Sequence, residues 1–218
     1  MASRILTVSR AIPRIIRFGT PLKSAVSSTS SIRRRWATST TPTSSPNDPA
    51  EAEAMKALEE GTKRLEDGDV PGAKVMYERS VMIKKTASAL FNLGVTHYHS
   101  KDFQAAIDAW KESIELQPSS PDAHTNLASA YIMSPISRPS LAIDHLRIAS
   151  SLSPEDPEIS FNLGAVLEAC GLLEEALEQY KRSKEYGVDR AGMHIRNVSA
   201  KILGKKLESL KKAEKKEE

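Results

Sequence analysis

The residues able to do chemistry are few, and their spacing does not assemble a reaction centre. Five histidines occur, His97, His99, His124, His145 and His194, together with one cysteine, Cys170. His97 and His99 stand two apart, which turns their rings to different sides of a helix and keeps both from reaching one metal ion. A lone cysteine makes neither an intramolecular disulfide nor a cysteine zinc cluster, and Cys170 reads as a partly buried thiol behaving as a small apolar residue. Glu174-Glu175 are adjacent carboxylates at a helix start, where the positive end of the helix dipole favours them. Catalytic carboxylate pairs need opposing walls of a pocket, and nothing in the pattern supplies one. The sequence contains no glycine-rich phosphate loop, serine nucleophile elbow or His-Glu-x-x-His helix. No catalytic residue, cofactor or metal site is expected.

The elements that would have to carry such residues repeat instead. Asn92-Leu93-Gly94 returns as Asn126-Leu127-Ala128, as Asn162-Leu163-Gly164 and faintly as Asn197-Val198-Ser199, at spacings of 34, 36 and 35 residues. A fixed period in this range marks stacked helical hairpins, each burying its apolar face only against its neighbours. Within residues 87–120, one stripe runs through Leu90, Leu93, Gly94, His97 and Tyr98. A second runs through Ala106, Ile107, Trp110, Ile114 and Leu116. Both have the three-and-four spacing of a half-buried helix. Asp102 is placed to cap the second helix, and Pro118 follows its end. Ser120-Pro121 and Asp156-Pro157 start the next two units in the same cap-then-proline fashion.

A small residue recurs as Ala73, Ala106, Ala142 and Ala176, and a large one four positions later as Tyr77, Trp110, Leu146 and Tyr180. This small-small-aromatic-proline order resembles the tetratricopeptide repeat. The resemblance implies an all-α, right-handed superhelix of about four helix-turn-helix repeats, at 54–86, 87–120, 121–156 and 157–188 within a repeat region of 50–188. A capping helix at 189–204 and a lysine- and glutamate-rich tail at 205–218 follow. The first unit lacks the Asn-Leu-Gly signature, and Lys85 and Val188 stand where the first and fourth would have prolines. Two extra residues within Ser134–Pro139, including Pro135 and Pro139, should lengthen the turn inside the third unit.

The N-terminus has a different composition. Residues 1–47 hold no Asp or Glu but eight basic residues, with Ser and Thr crowding the stretch from Thr20 to Ser45. That is the composition of a mitochondrial transit peptide. Ile5, Val8, Ile12, Ile15 and Ile16 cluster on one side of a helix, with Arg10, Arg14 and Arg17 nearly opposite. We expect a transit peptide over 1–36, cut after Trp36, a flexible leader over 37–49, and residence in the matrix. The chain has 31 basic and 28 acidic residues, for a net +3. Removing eight basic residues leaves 23 against 28, a net −5, so the basicity belongs to the leader and nucleic-acid binding is not expected. No apolar run approaches the ~18 residues of a membrane span.

In this repeat family the first helix of each hairpin lines an inner groove. The resemblance places Phe91, Val95, Tyr98 and His99 there from the second unit, Asp122, Ile132 and Met133 from the third, and Glu158, Phe161 and Glu168 from the fourth. Phe91, Tyr98 and Phe161 have an alternative place, filling the gaps between repeats. Relatives that grip acidic chaperone C-termini use a basic clamp, but Leu58, Asp122 and Glu158 stand where its basic residues belong, so that clamp is not expected. The function read here is a mitochondrial, non-catalytic protein-interaction adaptor or complex-assembly factor. Its partner would be a protein or peptide with apolar anchors and basic residues. The alternative is an RNA- or mitoribosome-associated helical-repeat factor.

Overall fold

A computed structural model describes residues 48–217, with side chains through Glu214. The expected transit peptide, its cleavage point and nearly all of the leader lie outside these residues. The described part is all-helical, in chain order α1 (Pro49–Glu66), α2 (Val70–Ile83), α3 (Ala87–His99), α4 (Phe103–Leu116), α5 (Pro121–Met133), α6 (Pro139–Leu152), α7 (Pro157–Ala169), α8 (Leu173–Glu185) and α9 (Ala191–Glu217). Each helix packs chiefly on its sequence neighbours, forming four hairpins and a final helix stacked on α8. The result is an all-α repeat superhelix.

Local sequence explains where the first helices begin. Asp48, Thr86, Ser120 and Asp156 each turn a side-chain oxygen onto free N–H groups of the first turn, as Asp156 does to Glu158 and Ile159 at 2.8 and 3.1 Å. Proline follows three of these caps, where its missing N–H costs nothing. The first hairpin starts at Pro49, so the boundary expected between leader and repeats falls inside α1. The turn between α5 and α6 covers residues 134–138, against 67–69, 100–102 and 170–172 in the other hairpins. The two extra residues therefore lengthen the loop, which the Arg138 N–H closes onto the Tyr131 carbonyl at 3.0 Å. In the three short turns a left-handed residue reverses the chain: Gly68, Lys101 and Gly171, at φ 84°, 62° and 78°.

The hairpins are locked by one contact repeated along the stack. Ala73, Ala106, Ala142 and Ala176 are each completely buried, and the large residues after them are buried too. Each aromatic ring lies on a glycine of the partner helix. A Cβ built on Gly61 would meet Tyr77 at 2.7 Å, one on Gly94 would meet Trp110 at 2.5 Å, and one on Gly164 would meet Tyr180 at 3.0 Å. The third repeat carries Leu146 in place of the ring and Ala128 in place of the glycine, so the smaller knob leaves room for the methyl group. Trp110 also donates its indole N–H to the Phe91 carbonyl at 3.0 Å. Leu116, at the end of the second stripe in its repeat, is exposed.

A second repeated contact fastens the far end of each hairpin. Ser80, Ser113 and Ser183 are buried and donate their hydroxyls to the carbonyls of Ala54, Ala87 and Pro157, each at 2.8 Å. All three lie seven residues after the small alanine of the second helix, so the period was present in the sequence. The third repeat has Ala149 at that position. Its hairpin is bridged instead by His124 and His145, whose Nδ1 atoms lie 2.9 Å apart. The Pro118 carbonyl, 3.0 Å from His124 Nε2, can only accept, which makes Nε2 the protonated nitrogen of His124. The two facing Nδ1 atoms then share one proton between the rings.

The expected capping helix is present, but it does not stop at residue 204. α9 continues unbroken through the lysine-rich segment to Glu217. Ala191 and Val198 are fully buried, and Ile195 and Ile202 pack against the core; from Leu203 to Glu214 every residue is exposed.

Candidate partner-binding groove

The wall implied by the repeats is made by α3, α5 and α7. Beyond its own neighbours, α3 also touches α5. The residues expected on this wall fall into two groups.

Those of α3 and α5 reach the surface. Phe91, Val95, Tyr98 and Ile132 are half-buried, resting on the core while keeping one side open, and Met133 is half exposed. Tyr98 stands edge-on to Phe103 at 5.4 Å and is tilted against Trp110 at 5.8 Å. Burial pushes its hydroxyl above the usual tyrosine range, so the ring presents a neutral phenol. His99 is exposed beside it, its ring 6.4 Å from that of Tyr98. Asp122 lies in the first turn of α5 with its side chain reaching solvent. The surrounding wall still desolvates this carboxyl and the Asp156 carboxylate repels it, which together raise its pKa. Among the described residues Asp122 makes no ion pair.

Those of α7 are engaged by the chain itself. Phe161, expected as an exposed anchor, is only 2% exposed. It meets Tyr180 and His194 edge-on at 5.5 and 5.2 Å, with the Arg190 guanidinium 4.3 Å from its ring centre. The alternative place, in the gap between successive elements, is the one it takes, because α9 covers α7 as a fifth first helix would. Glu158 is paired with Arg190. Glu168 accepts from the Tyr180 hydroxyl at 2.9 Å and from Lys201 at 2.6 Å, with His194 Nδ1 at 3.6 Å. Burial opposes its charge, but Lys201, Tyr180 and His194 outweigh that and hold its pKa below the ordinary value. Burial, reinforced by Glu168, raises the Tyr180 hydroxyl far above its usual range. Arg190, His194 and Lys201 were not foreseen as partners, although their spacing of four and seven places them on one helical face.

Other candidate residues resolve simply. His97 is nearly buried, and burial lowers its pKa; its Nδ1 lies 3.7 Å from Asp102. Its reading as a packing residue and not a ligand agrees with that place. Cys170 is exposed at the end of α7, against the expectation of partial burial, because it sits in the hairpin turn. Its surroundings still raise its pKa, which disfavours the reactive thiolate. Among the described residues no three His, Cys, Asp or Glu side chains converge as a metal site, and no helix is long and apolar enough to cross a membrane. A shallow cleft of about 610 Å³ lies away from the wall on α1 and α2, lined by Glu53, Lys56, Glu60, Lys63 and Arg79 among others.

Comparison with known proteins agrees with this architecture. Two segments, residues 87–120 and 136–189, match family models described as tetratricopeptide repeat. The small glutamine-rich tetratricopeptide repeat-containing protein 2 of Mycosarcoma maydis is 37% identical over 86 residues, 39% of this chain and 24% of that protein. The PEX5-related protein of Mus musculus is 38% identical over 76 residues, 34% of this chain and 13% of its own. The chain thus spans a quarter or less of the length of these curated relatives. Among solved structures, MamA superimposes with a TM-score of 0.60 at 26% identity, covering 75% of this chain and 94% of its own. The first tetratricopeptide domain of Spaghetti (RPAP3), bound to the HSP90 peptide SRMEEVD, gives 0.51 at 25% identity over 55% of this chain and 94% of its own. Residues 87–120 and 136–189 are thus similar to tetratricopeptide repeats, and the solved structures share the all-α superhelix.

Proposed function

We propose that this chain is a non-catalytic adaptor or complex-assembly factor of the mitochondrial matrix. It would hold an extended or helical segment of a protein partner along the wall formed by α3 and α5. The observation that carries this reading is the wall itself: Phe91, Val95, Tyr98 and Ile132 keep open apolar faces next to Asp122, a carboxylate that folding leaves without a cation. Buried apolar anchors supply most of the energy in such an interface, and a rim charge sets orientation and association rate. A segment with apolar anchors and a Lys or Arg fits. An acidic peptide like the one carried by the solved relative would meet Asp122 and find no basic clamp. The matrix address rests on the acid-free, arginine-rich composition of residues 1–47.

The test is affinity purification from mitochondria with and without RNase. A stoichiometric protein partner that survives RNase and is weakened by Ile132→Ala and by Asp122→Lys, in variants whose thermal melts match the parent, supports the proposal. Retention of that partner at full affinity by the double variant sinks the groove reading. Loss of the partner on RNase treatment sinks the protein-adaptor reading in favour of an RNA-associated factor. Residues 1–47 fused to a fluorescent protein should suffice for import, and a cytosolic fusion would remove the address.

A further inference from the structure

α9 is built in two parts. Its first half closes the solenoid through Ala191, Ile195, Val198 and Ile202. Its second half leaves the body, and there Leu203, Leu207 and Leu210 are 59%, 50% and 60% exposed. Their spacing of four and three places them on one face over two turns. At about 100° per residue that face is turned roughly 110° from the packed seam, so it is not a continuation of the surface that a further repeat would cover. The same geometry puts Lys206 and Lys211 roughly 70° to either side of the leucines, with Lys205 and Lys212 on the far side. All four lysines are exposed.

We infer that residues 203–212 form an interfacial helix that lays its leucine face on an anionic lipid surface. An apolar face rimmed by lysines matches an anionic bilayer: the leucines enter the acyl boundary while the lysine stems lie along it and keep their ammonium groups at the headgroups. The charges argue against a second copy of this chain as the occupant. In a self-paired helix with Leu203, Leu207 and Leu210 at the seam, Lys206 and Lys211 flank it on both strands and repel across it. They argue against RNA as well, because residues 191–218 contain no Phe, Tyr or Trp on which a base could stack, and leucines add nothing to phosphate binding. Glu208 lies on the face away from the leucines, so it does not enter the contact.

The test uses the full chain with Leu207→Trp as a local reporter, its emission read as a difference from the parent, which carries the same two natural tryptophans. Vesicles of neutral phospholipid containing about a third anionic phospholipid should shift the reporter to the blue, with quenching by brominated acyl chains. Neutral vesicles should not. Leu203→Ser/Leu210→Ser in the reporter background should lower the lipid partition of the reporter at least fivefold. Since residues 1–47 are unchanged, their own affinity for anionic lipid cancels in that comparison. These positions lie outside the buried core, and far-UV circular dichroism checks the variants. The inference is overturned by an unmoved reporter, by equal shifts with neutral and anionic vesicles, or by a shift that survives the serine substitutions. A shift that appears without lipid and grows with protein concentration, or one produced by RNA, overturns it too.

Discussion

Gly94→Ala is expected to destabilise the protein, although alanine is the better helix former. In an open helix the exchange gains about 1 kcal/mol. Here the added Cβ would lie 2.5, 2.7 and 2.8 Å from Nε1, Cδ1 and Cε2 of Trp110. The indole cannot swing aside, because it is completely buried and its N–H is held by the Phe91 carbonyl. Overpacking of this kind costs about 1–3 kcal/mol and the helix gain offsets about 1 of it, so the net loss should be up to about 2 kcal/mol. The third repeat supplies the control, since nature pairs Ala128 there with Leu146. Trp110→Leu alone should cost about 3 kcal/mol through lost burial. Gly94→Ala added to Trp110→Leu should cost nothing further or restore some stability, a coupling of about 1–3 kcal/mol that equals the relieved overpacking. Equilibrium urea unfolding of the four proteins, followed by far-UV circular dichroism so that loss of the tryptophan does not change the signal, measures that coupling. If the two substitutions add, the glycine is not there to seat the ring and the account of the hairpin crossing is wrong.

Four shorter expectations rest on the same packing. Gly204→Ala, in exposed α9 with nothing within 4 Å of the new Cβ, should stabilise by up to about 1 kcal/mol in the same unfolding assay. Lys101→Gly should raise stability by about 0.5–1 kcal/mol, because Lys101 is held at φ 62° where an L side chain is strained; an unchanged urea midpoint counts against it. Ala106→Leu should cost about 1–3 kcal/mol by overpacking a completely buried site, whereas Gln104→Leu on the exposed face should cost little. Burial, with His124 and Lys111 adding to it against the pull of Asp144, lowers the pKa of His145, and burial lowers that of His97. The unfolded chain therefore takes up protons that the native state refuses, so melting temperature should fall as pH drops below about 6.5, and His145→Gln should flatten that slope.

The fold was legible because its determinants are local and periodic. Gly94, Ala106 and Trp110 announce the hairpin crossing from sequence alone, since a glycine and an alanine on successive helices, followed by a large ring, fit where two backbones meet. The caps Asp102, Ser120 and Asp156 were legible for the same reason: each acts on N–H groups two or three residues away. Ser80, Ser113 and Ser183 obey the same period but escaped notice, because serine on a helix is uninformative until its carbonyl partner 26 residues earlier is seen. The fate of Phe161 was left open by the sequence, between the wall and the gap that closes behind it. Whether an aromatic on a first helix stays open depends on what covers it, and the covering element, α9, carries only the faint Asn197-Val198-Ser199 form of the signature that marked the others.

That dependence bears on what the wall can say about a ligand. Apolar anchors with accompanying positive charge were the chemistry expected of an external partner, and α9 with the Arg190 that precedes it brings that chemistry to the fourth repeat as Ile195, Val198, His194 and Lys201. Glu158 and Glu168 are thus explained by folding and carry no information about a partner. Asp122 is different because the next element does not answer it. The segment leading into α7 is Glu155-Asp156, two carboxylates where the segment leading into α9 has Arg190. Asp156 is spent capping α7 and repels Asp122 instead of neutralising it. An acidic side chain kept beside open apolar groups, unpaired by its own stack, raises the energy of the free protein in a way that a cation on a bound segment would relieve. Among the carboxylates expected on the wall, Asp122 is therefore the one whose environment argues for a partner, and the α3–α5 face is where that partner should be sought.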